Sequence, residues 1–188
     1  MPSPAPVKPG TLRAEQIILF RIGEQLFALS SSSVQEVRGA DSLSGGASEV
    51  TAPGVGKVRQ FVRRGPNLLF LVSGARHFGL PAEEGILAFV LRNTRTALLV
   101  DSIERMTAMT RLQALPLSFC HEERQWYRGL TAVDQMVVPV VRPEGFLSDE
   151  ELTMLDRAVP PAEASREETE RELEAEAPTD TNLGTELN

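Results

Sequence analysis

Short apolar runs, separated by residues that favour turns, are the dominant pattern of this chain. Four pairs of runs flank a short turn sequence, as "QIILFRI" and "QLFAL" do on either side of Gly23-Glu24. The other three turns fall at Pro66-Asn67, Asn93-Thr94 and Asp134-Gln135. Runs joined in this way are typical of β-hairpins, because Gly, Asn and Asp accept the backbone angles of tight turns. The pattern predicts a mainly β body, built as a sandwich or as small barrels.

Two stretches interrupt the strand pattern with helical features. "SSSSVQEV", residues 30–37, offers several serines as N-caps before Val34 and Val37, which are three residues apart. "SDEELTMLDRA", residues 148–158, has Ser148 and Glu151 at the spacing of a capping box. Both stretches therefore predict short helices, the second near the end of the folded part.

The run "ALLVDSIERM", residues 97–106, ends an apolar strand with an acidic residue. In a strand, Leu98 and Val100 face one side, whereas Ala97, Leu99 and Asp101 face the other. Apolar residues on both faces predict a strand buried between two packed surfaces. Asp101 is then expected to end the strand and to serve a turn or cap.

Charge divides the chain into a neutral body and an acidic end. Residues 159–188 hold nine acidic and two basic residues, which accounts for the whole formal net charge of −7. We therefore predict a folded domain over residues 14–158 and an acidic, disordered tail over residues 159–188. Residues 1–13 are Pro-rich and are expected to be disordered as well. A neutral body without a basic block argues against nucleic acid as a partner.

The expected cellular compartment of the protein rests on targeting and membrane features that the sequence does not contain. The N-terminus has no apolar core of a secretory signal, and no run approaches the roughly 20 apolar residues that span a bilayer. The single cysteine, Cys120, excludes an intrachain disulfide. We expect a cytoplasmic protein without direct membrane insertion.

No arrangement of residues predicts catalysis. "PGVGKV" is not a phosphate-binding loop, because Thr51 and Val58 stand where that motif needs Gly and Ser or Thr. In Cys120-His121 adjacent side chains would point to opposite faces of a strand, and Asp101 has no second acid or base to act with. We predict no catalytic residue, no cofactor and no metal site. The open alternatives are a protein-binding adaptor and a small β-barrel that binds a ligand or acts as an enzyme.

Several strings resemble the CheW family of chemosensory coupling proteins over residues 15–158. They are "VQEVRG", the Arg64-Gly65 turn before "LLFLV", "TALLVDSIERM", "YRGL" and the closing "LSDEELTMLD". The resemblance implies two small five-stranded, SH3-like β-barrels packed side by side around a shared apolar seam. It also implies a non-catalytic adaptor that bridges a CheA-type histidine kinase and the cytoplasmic tips of chemoreceptors, recruited to membrane receptor arrays.

The same resemblance implies a partner-docking surface. Its residues are those that match the "VQEVRG" string and the Arg-Gly turn: Val34, Glu36, Val37, Arg38, Arg64 and Gly65. We expect Gly65 to supply a positive φ and Arg64 to reach a carboxylate or carbonyl.

The chain departs from the family pattern just before this turn. Val62 and Arg63 stand where the family usually has Asn and Leu. In the following strand, Phe70, Ser73 and Gly74 replace the usual Pro, Asp and Leu. These departures indicate a diverged coupler, which serves chemotaxis or a specialised pathway such as surface motility.

Overall fold

The computed structural model describes residues 14–81 and 85–161, and within them eleven strands form two sheets. The strands are β1 (Gln16–Ile22), β2 (Gln25–Ser30), β3 (Val34–Gly39), β4 (Ala47–Glu49), β5 (Val58–Arg64), β6 (Asn67–Ser73), β7 (Leu87–Leu91), β8 (Thr96–Val100), β9 (Ser102–Ala108), β10 (Tyr127–Val133) and β11 (Met136–Val141). The helices are α1 (Ala40–Ser44), α2 (Gly74–Phe78), α3 (Glu123–Trp126) and α4 (Asp149–Ala158).

The first sheet combines strands from both ends of the described chain. Its order is β10-β11-β2-β1-β9. The neighbours pair antiparallel except β11 and β2, which are parallel. Beyond β9, an isolated bridge joins Gln113 to Leu130 of β10, so the chain curls from one edge strand toward the other.

The second sheet is built from one continuous stretch of chain, β3 to β8, in the order β3-β7-β8-β6-β5-β4. The expected pair of five-stranded barrels needs correction here, because this sheet has six strands and the ladders of both sheets are open. The sixth strand, β4, is short and pairs with residues 60–62 of β5. The expectation of a mainly β fold with two adjoining β units is confirmed.

All four predicted hairpins are present. Their turns use the residues that tolerate a positive φ, including Gly23 at 57° and Asn93 at 57°. The turn predicted at Pro66-Asn67 lies instead at Gly65-Pro66, because Asn67 already pairs with Arg64 across the ladder.

The helix predicted over residues 30–37 is wrong. Only Ser31–Ser33 forms a single 3-10 turn, and Val34–Gly39 is strand β3. This strand pairs antiparallel with β7, and the pairing satisfies its backbone groups better than an isolated two-turn helix would.

The helix predicted over residues 148–158 is confirmed as α4. Ser148 Oγ accepts a hydrogen bond from the Glu151 N–H at 3.2 Å, and Glu151 Oε2 accepts one from the Ser148 N–H at 2.9 Å. Leu155 is fully buried against Phe61 and Phe70 of the six-stranded sheet. After β11 of the five-stranded sheet, helix α4 therefore crosses over to cover the six-stranded sheet.

The predicted apolar seam lies between the two sheets. One cluster draws its members from β1, β2 and β11 on one side and from β7 and β8 on the other. Strand β8 is buried throughout, with Leu98 and Val100 in the seam and Ala97 and Leu99 in a second cluster on its other face. The prediction of a strand between two packed surfaces is confirmed.

Asp101 has the structural role expected of it. Its Oδ2 accepts a hydrogen bond of 2.5 Å from the backbone N–H of Gly23, in the β1–β2 turn. The carboxylate thus ties the end of β8 to the first hairpin. The predicted N-terminal segment 1–13 lies outside the described residues, and so does the acidic tail from residue 162 onward.

Candidate partner-docking surface

The six residues predicted to contact partners lie on two elements of the six-stranded sheet. Four belong to the edge strand β3, and the other two mark the end of β5 and its turn: Val34, Glu36, Val37, Arg38, Arg64 and Gly65. Three strands separate β3 from β5 in the sheet order. Any contact between them therefore requires the sheet to curl strongly.

Glu36 makes that contact. Its Oε1 accepts a hydrogen bond from Arg64 Nη1 at 2.5 Å, and its Oε2 accepts one from Arg38 Nε at 3.0 Å. Arg38 lies two residues along the same strand and thus on the same face, whereas Arg64 is 28 residues away in sequence. The structure brings these three predicted residues into one charged cluster, the Glu36 cluster.

The Glu36 cluster is an accessible, ionised group of side chains. The hydrogen bond from Arg64 lowers the pKa of Glu36. Burial opposes this to a lesser degree, and the hydrogen bond from Arg38 adds a still smaller lowering effect. The side chains of Glu36, Arg64 and Arg38 are 27%, 32% and 47% exposed. Ion pairs this exposed add little stability, about 0–1 kcal/mol each. Their main effect is to fix two guanidinium groups on a surface.

The two valines of β3 differ in their surroundings. Val34 is buried in the seam cluster, so any effect on partners would be indirect. Val37 is 43% exposed, and Ile86 near the same strand end is 71% exposed, with its carbonyl accepting the Ala40 N–H. Ile86 was missed from the sequence, because it reads as the first residue of a buried run.

Gly65 adopts the conformation predicted for it. Its φ is +59°, and the turn leaves it exposed. A side chain there would meet no neighbour, so backbone strain alone is the reason for glycine. The turn holds Arg64 at the very end of β5.

A cleft of about 570 Å³ lies elsewhere, where α3, the start of α4 and the loop before β5 meet. Trp126 and His121 line it, and Lys57 Nζ pairs with Glu151 Oε1 across it at 2.8 Å. Sequence reasoning did not single out this cleft. Cys120 is exposed near it, in a segment that forms turns rather than a strand.

Next to this cleft, His77 is buried in an aromatic cluster. Its ring lies 4.7 Å from that of Phe78, 4.8 Å from Trp126 and 5.0 Å from Phe146, between centroids. Burial, with a smaller effect of the Lys57 charge, lowers the pKa of His77 to about 3. The imidazole is therefore neutral at physiological pH and behaves as a packing group.

Among residues 14–81 and 85–161, no three His, Cys, Asp or Glu side chains are grouped to hold a metal ion. In the same part of the chain, no helix has the length and apolar character to cross a membrane.

Comparison with known proteins decides the family. A family model described as the CheW-like domain matches residues 16–151. The chain belongs to this family. The chain is 28% identical over 144 residues to a probable chemotaxis protein CheW from Rhizobium etli, a match that covers 72% of the chain and 89% of the relative.

A solved structure agrees with the fold. The scaffolding protein TtCheW from Thermoanaerobacter tengcongensis superposes with a TM-score of 0.58, over 72% of this chain and 94% of that one. The sequence identity is 13%, so this match bears on the fold. The resemblance noted from the sequence is confirmed, and with it the role of a chemotaxis adaptor in a family of non-catalytic scaffolds.

Proposed function

We propose that this CheW-like protein couples a CheA-type histidine kinase to the cytoplasmic tips of chemoreceptors, at the cytoplasmic side of receptor arrays. The docking surface is centred on the Glu36 cluster and extends along the exposed edge of β3 through Val37. Its output is chemotaxis or a related motility response.

The Glu36 cluster is the observation that carries the proposal. Two strings that were noted separately in the sequence, "VQEVRG" and the Arg-Gly turn, meet there in one exposed patch. Exposed arginines beside an apolar side chain and a strand edge that has no β partner among the described residues suit a protein partner. Guanidinium groups bind carboxylates bidentately, and the edge offers backbone groups.

Such coupling needs no chemistry in the adaptor. A receptor or kinase bound at this surface alters kinase activity to the extent that it binds one kinase conformation more tightly than another. The second role left open by the sequence, a ligand-binding or enzymatic β-domain, gains no support from a specific feature of the described residues.

Charge reversal at Arg64 tests the docking surface. Arg64→Glu places a second carboxylate beside Glu36 and removes the cation offered to the partner, so we expect at least a tenfold weaker kinase affinity by calorimetry. Arg105→Glu is the matched control, because Arg105 forms an exposed ion pair with Asp134 on the other sheet. Thermal unfolding of both variants verifies that they fold. Equal kinase affinity for the two variants would remove Arg64 from the interface.

Reconstitution tests the role itself. Kinase and receptor tips are combined with and without the protein, and autophosphorylation is measured over a range of concentrations. Receptor control of the kinase should require the protein and should be lost with Arg64→Glu. Kinase activity that is indifferent to the wild-type protein would refute the coupling role.

A further inference from the structure

Four arginines gather at one end of the six-stranded sheet. Strand β5 ends and β6 begins there, and the β7–β8 turn lies at the same end because β8 runs parallel to β6 from Thr96 opposite Phe70. Strand β3 also begins there, with Val34 opposite Leu91. The arginines that this topology brings together, called the arginine end below, are Arg63, Arg64, Arg92 and Arg95. Arg38 lies toward the other end of β3, opposite Ala88, and is linked to Arg64 through Glu36.

The positive charge of the arginine end is only partly compensated. Arg38 and Arg64 share the single carboxylate of Glu36, and Arg95 pairs with Asp156. Arg63 and Arg92 donate instead to backbone carbonyls, those of Pro160 and Val34. Within residues 14–81 and 85–161 neither of the two has a carboxylate partner, and both are exposed.

The described chain ends at the same place. Helix α4 finishes at Ala158, and two contacts hold its last turn against the arginine end. Arg95 Nη1 donates to Asp156 Oδ2 at 2.9 Å, and Arg63 donates to the Pro160 carbonyl. The described residues therefore end, at residue 161, next to Arg63, one of the two uncompensated guanidinium groups.

The sequence that follows has the opposite charge. Residues 163–176 contain seven glutamates and two arginines. We propose that this acidic segment binds the arginine end of its own chain and covers the Glu36 cluster.

Reach and tethering favour the contact. Glu163 is two residues beyond Pro161 in the sequence, and a chain advances at most about 3.3–3.6 Å per residue, so the length of chain allows the first acid a reach of at most roughly 7 Å from Pro161. A tethered segment has an effective concentration on the order of millimolar. Even weak individual ion pairs then keep the surface substantially occupied, more so at low salt, where screening is small.

A bound acidic segment would regulate the docking of partners, and this consequence rests on the proposed function. If the kinase or a receptor docks at the Glu36 cluster, the acidic segment competes with it for the same arginines. Competition against a millimolar internal ligand weakens a partner by about two- to tenfold. The segment thus raises the partner concentration that is needed for docking.

The experiment compares the full chain with a full-length variant that has all seven glutamates of residues 163–176 changed to glutamine. Amide chemical shifts are recorded for both by heteronuclear NMR, without any partner. We expect differences at Arg63, Gly65, Arg92 and Arg95 that vanish when salt is raised from about 0.02 M to about 0.5 M. Differences confined to the substituted segment and its sequence neighbours would overturn the proposal.

Arginine substitutions supply the matched test. Arg63→Gln combined with Arg92→Gln should remove most of the shift differences between acidic and neutralised segments. Arg59→Gln is the control, because Arg59 is exposed at the opposite end of the same strand, β5. If the shift differences fall equally in the Arg63→Gln/Arg92→Gln variant and in Arg59→Gln, the segment has no preferred site, which contradicts the proposal.

Kinase affinity separates this proposal from the coupling role. The neutralised segment should raise affinity for the kinase about two- to tenfold, measured at low salt. If the kinase binds neither form, the coupling role fails, whereas the partner-free shifts still decide the segment contact. If the kinase binds both forms equally and the arginine end shows no shifts, the segment contact alone fails.

Discussion

Mild acid is expected to destabilise the fold through His77. Its ring is 6% exposed and packs among Phe78, Trp126 and Phe146, and its Nε2 has no hydrogen-bond partner within the described residues. Burial lowers its folded pKa to about 3, whereas an unfolded histidine has a pKa near 6.5. Between these values the unfolded chain holds a proton that the folded chain rejects, so stability falls as pH falls.

The loss of unfolding free energy between pH 7 and pH 5 is set by the pKa of His77 in the unfolded chain, as long as its folded pKa stays well below 5. Between pH 7 and pH 5, one such histidine removes about 2 kcal/mol of unfolding free energy. That is a large share of the ~5–15 kcal/mol typical of a domain.

Carboxylates contribute little to the change in unfolding free energy between pH 7 and pH 5. Arg128 lowers the pKa of Glu15, and Arg95 lowers the pKa of Asp156, in each case chiefly through a side-chain hydrogen bond. A lowered carboxylate pKa gives stability that is present above the unfolded value, near 4, and is lost only at lower pH. The loss between pH 7 and pH 5 therefore reports on His77.

Urea denaturation at pH 7 and pH 5 measures the effect, with His77→Phe as the test variant. Phenylalanine keeps an aromatic ring among Phe78, Trp126 and Phe146 and cannot take up a proton, so the variant should lose about 2 kcal/mol less than the wild type over this range. His121→Gln is the control, since His121 is exposed, and it should keep the wild-type loss. A wild-type midpoint that does not move between pH 7 and pH 5, or an unchanged loss in His77→Phe, would refute the reasoning.

Three further predictions concern packing and turns. Leu99→Asp places a charge in a cluster where Leu99 is only 8% exposed, so this variant should not fold. A native-like circular dichroism spectrum would contradict the assigned burial. Asp101→Asn keeps an oxygen that accepts the Gly23 N–H, so we expect a cost of about 1 kcal/mol or less and nearly intact partner binding; loss of function in a folded variant would refute a purely structural role. Gly65→Ala should lower the free energy of unfolding by about 1–2 kcal/mol, measured by thermal unfolding, because φ at Gly65 is +59°. Gly39→Ala is the control and should cost clearly less, because φ at Gly39 is −64°. Equal costs would exclude backbone strain at Gly65.

Local patterns made the hairpins and the seam strand predictable. Gly23 and Asn93 mark turns through their own backbone preferences, and the apolar run of β8 shows its burial on both faces directly. The capping box of α4 is likewise contained within four consecutive residues. None of these features requires knowledge of a distant part of the chain.

Strand β3 was misread because a bulge altered its period. The ladder pairs Val34 with Leu91 and Glu36 with Val90, so one residue of β3 is extra. The extra residue brings Val34 and Val37, three apart, to the same face of the strand. This spacing imitates a helical repeat, and only the long-range pairing with β7 distinguishes the two.

The Glu36 cluster was predictable in its members but not in its geometry. Family resemblance indicated Glu36, Arg38 and Arg64, whereas the ion pair between residues 28 apart depends on how far the sheet curls. Ile86 and the aromatic surroundings of His77 were missed for the same reason, since both arise where separate segments meet.

The split origin of the five-stranded sheet has a consequence for biosynthesis. The hairpin β1–β2 leaves the ribosome first, yet its neighbour β11 begins 106 positions after Ser30. At about 10 residues per second, this delay is on the order of ten seconds. During that interval the apolar edge of the nascent hairpin lacks its final partner, while the contiguous segment from β3 to β8 is already synthesised. The contiguous six-stranded sheet is therefore complete in sequence long before the five-stranded one, and the β1–β2 hairpin is the segment that waits longest for its neighbour.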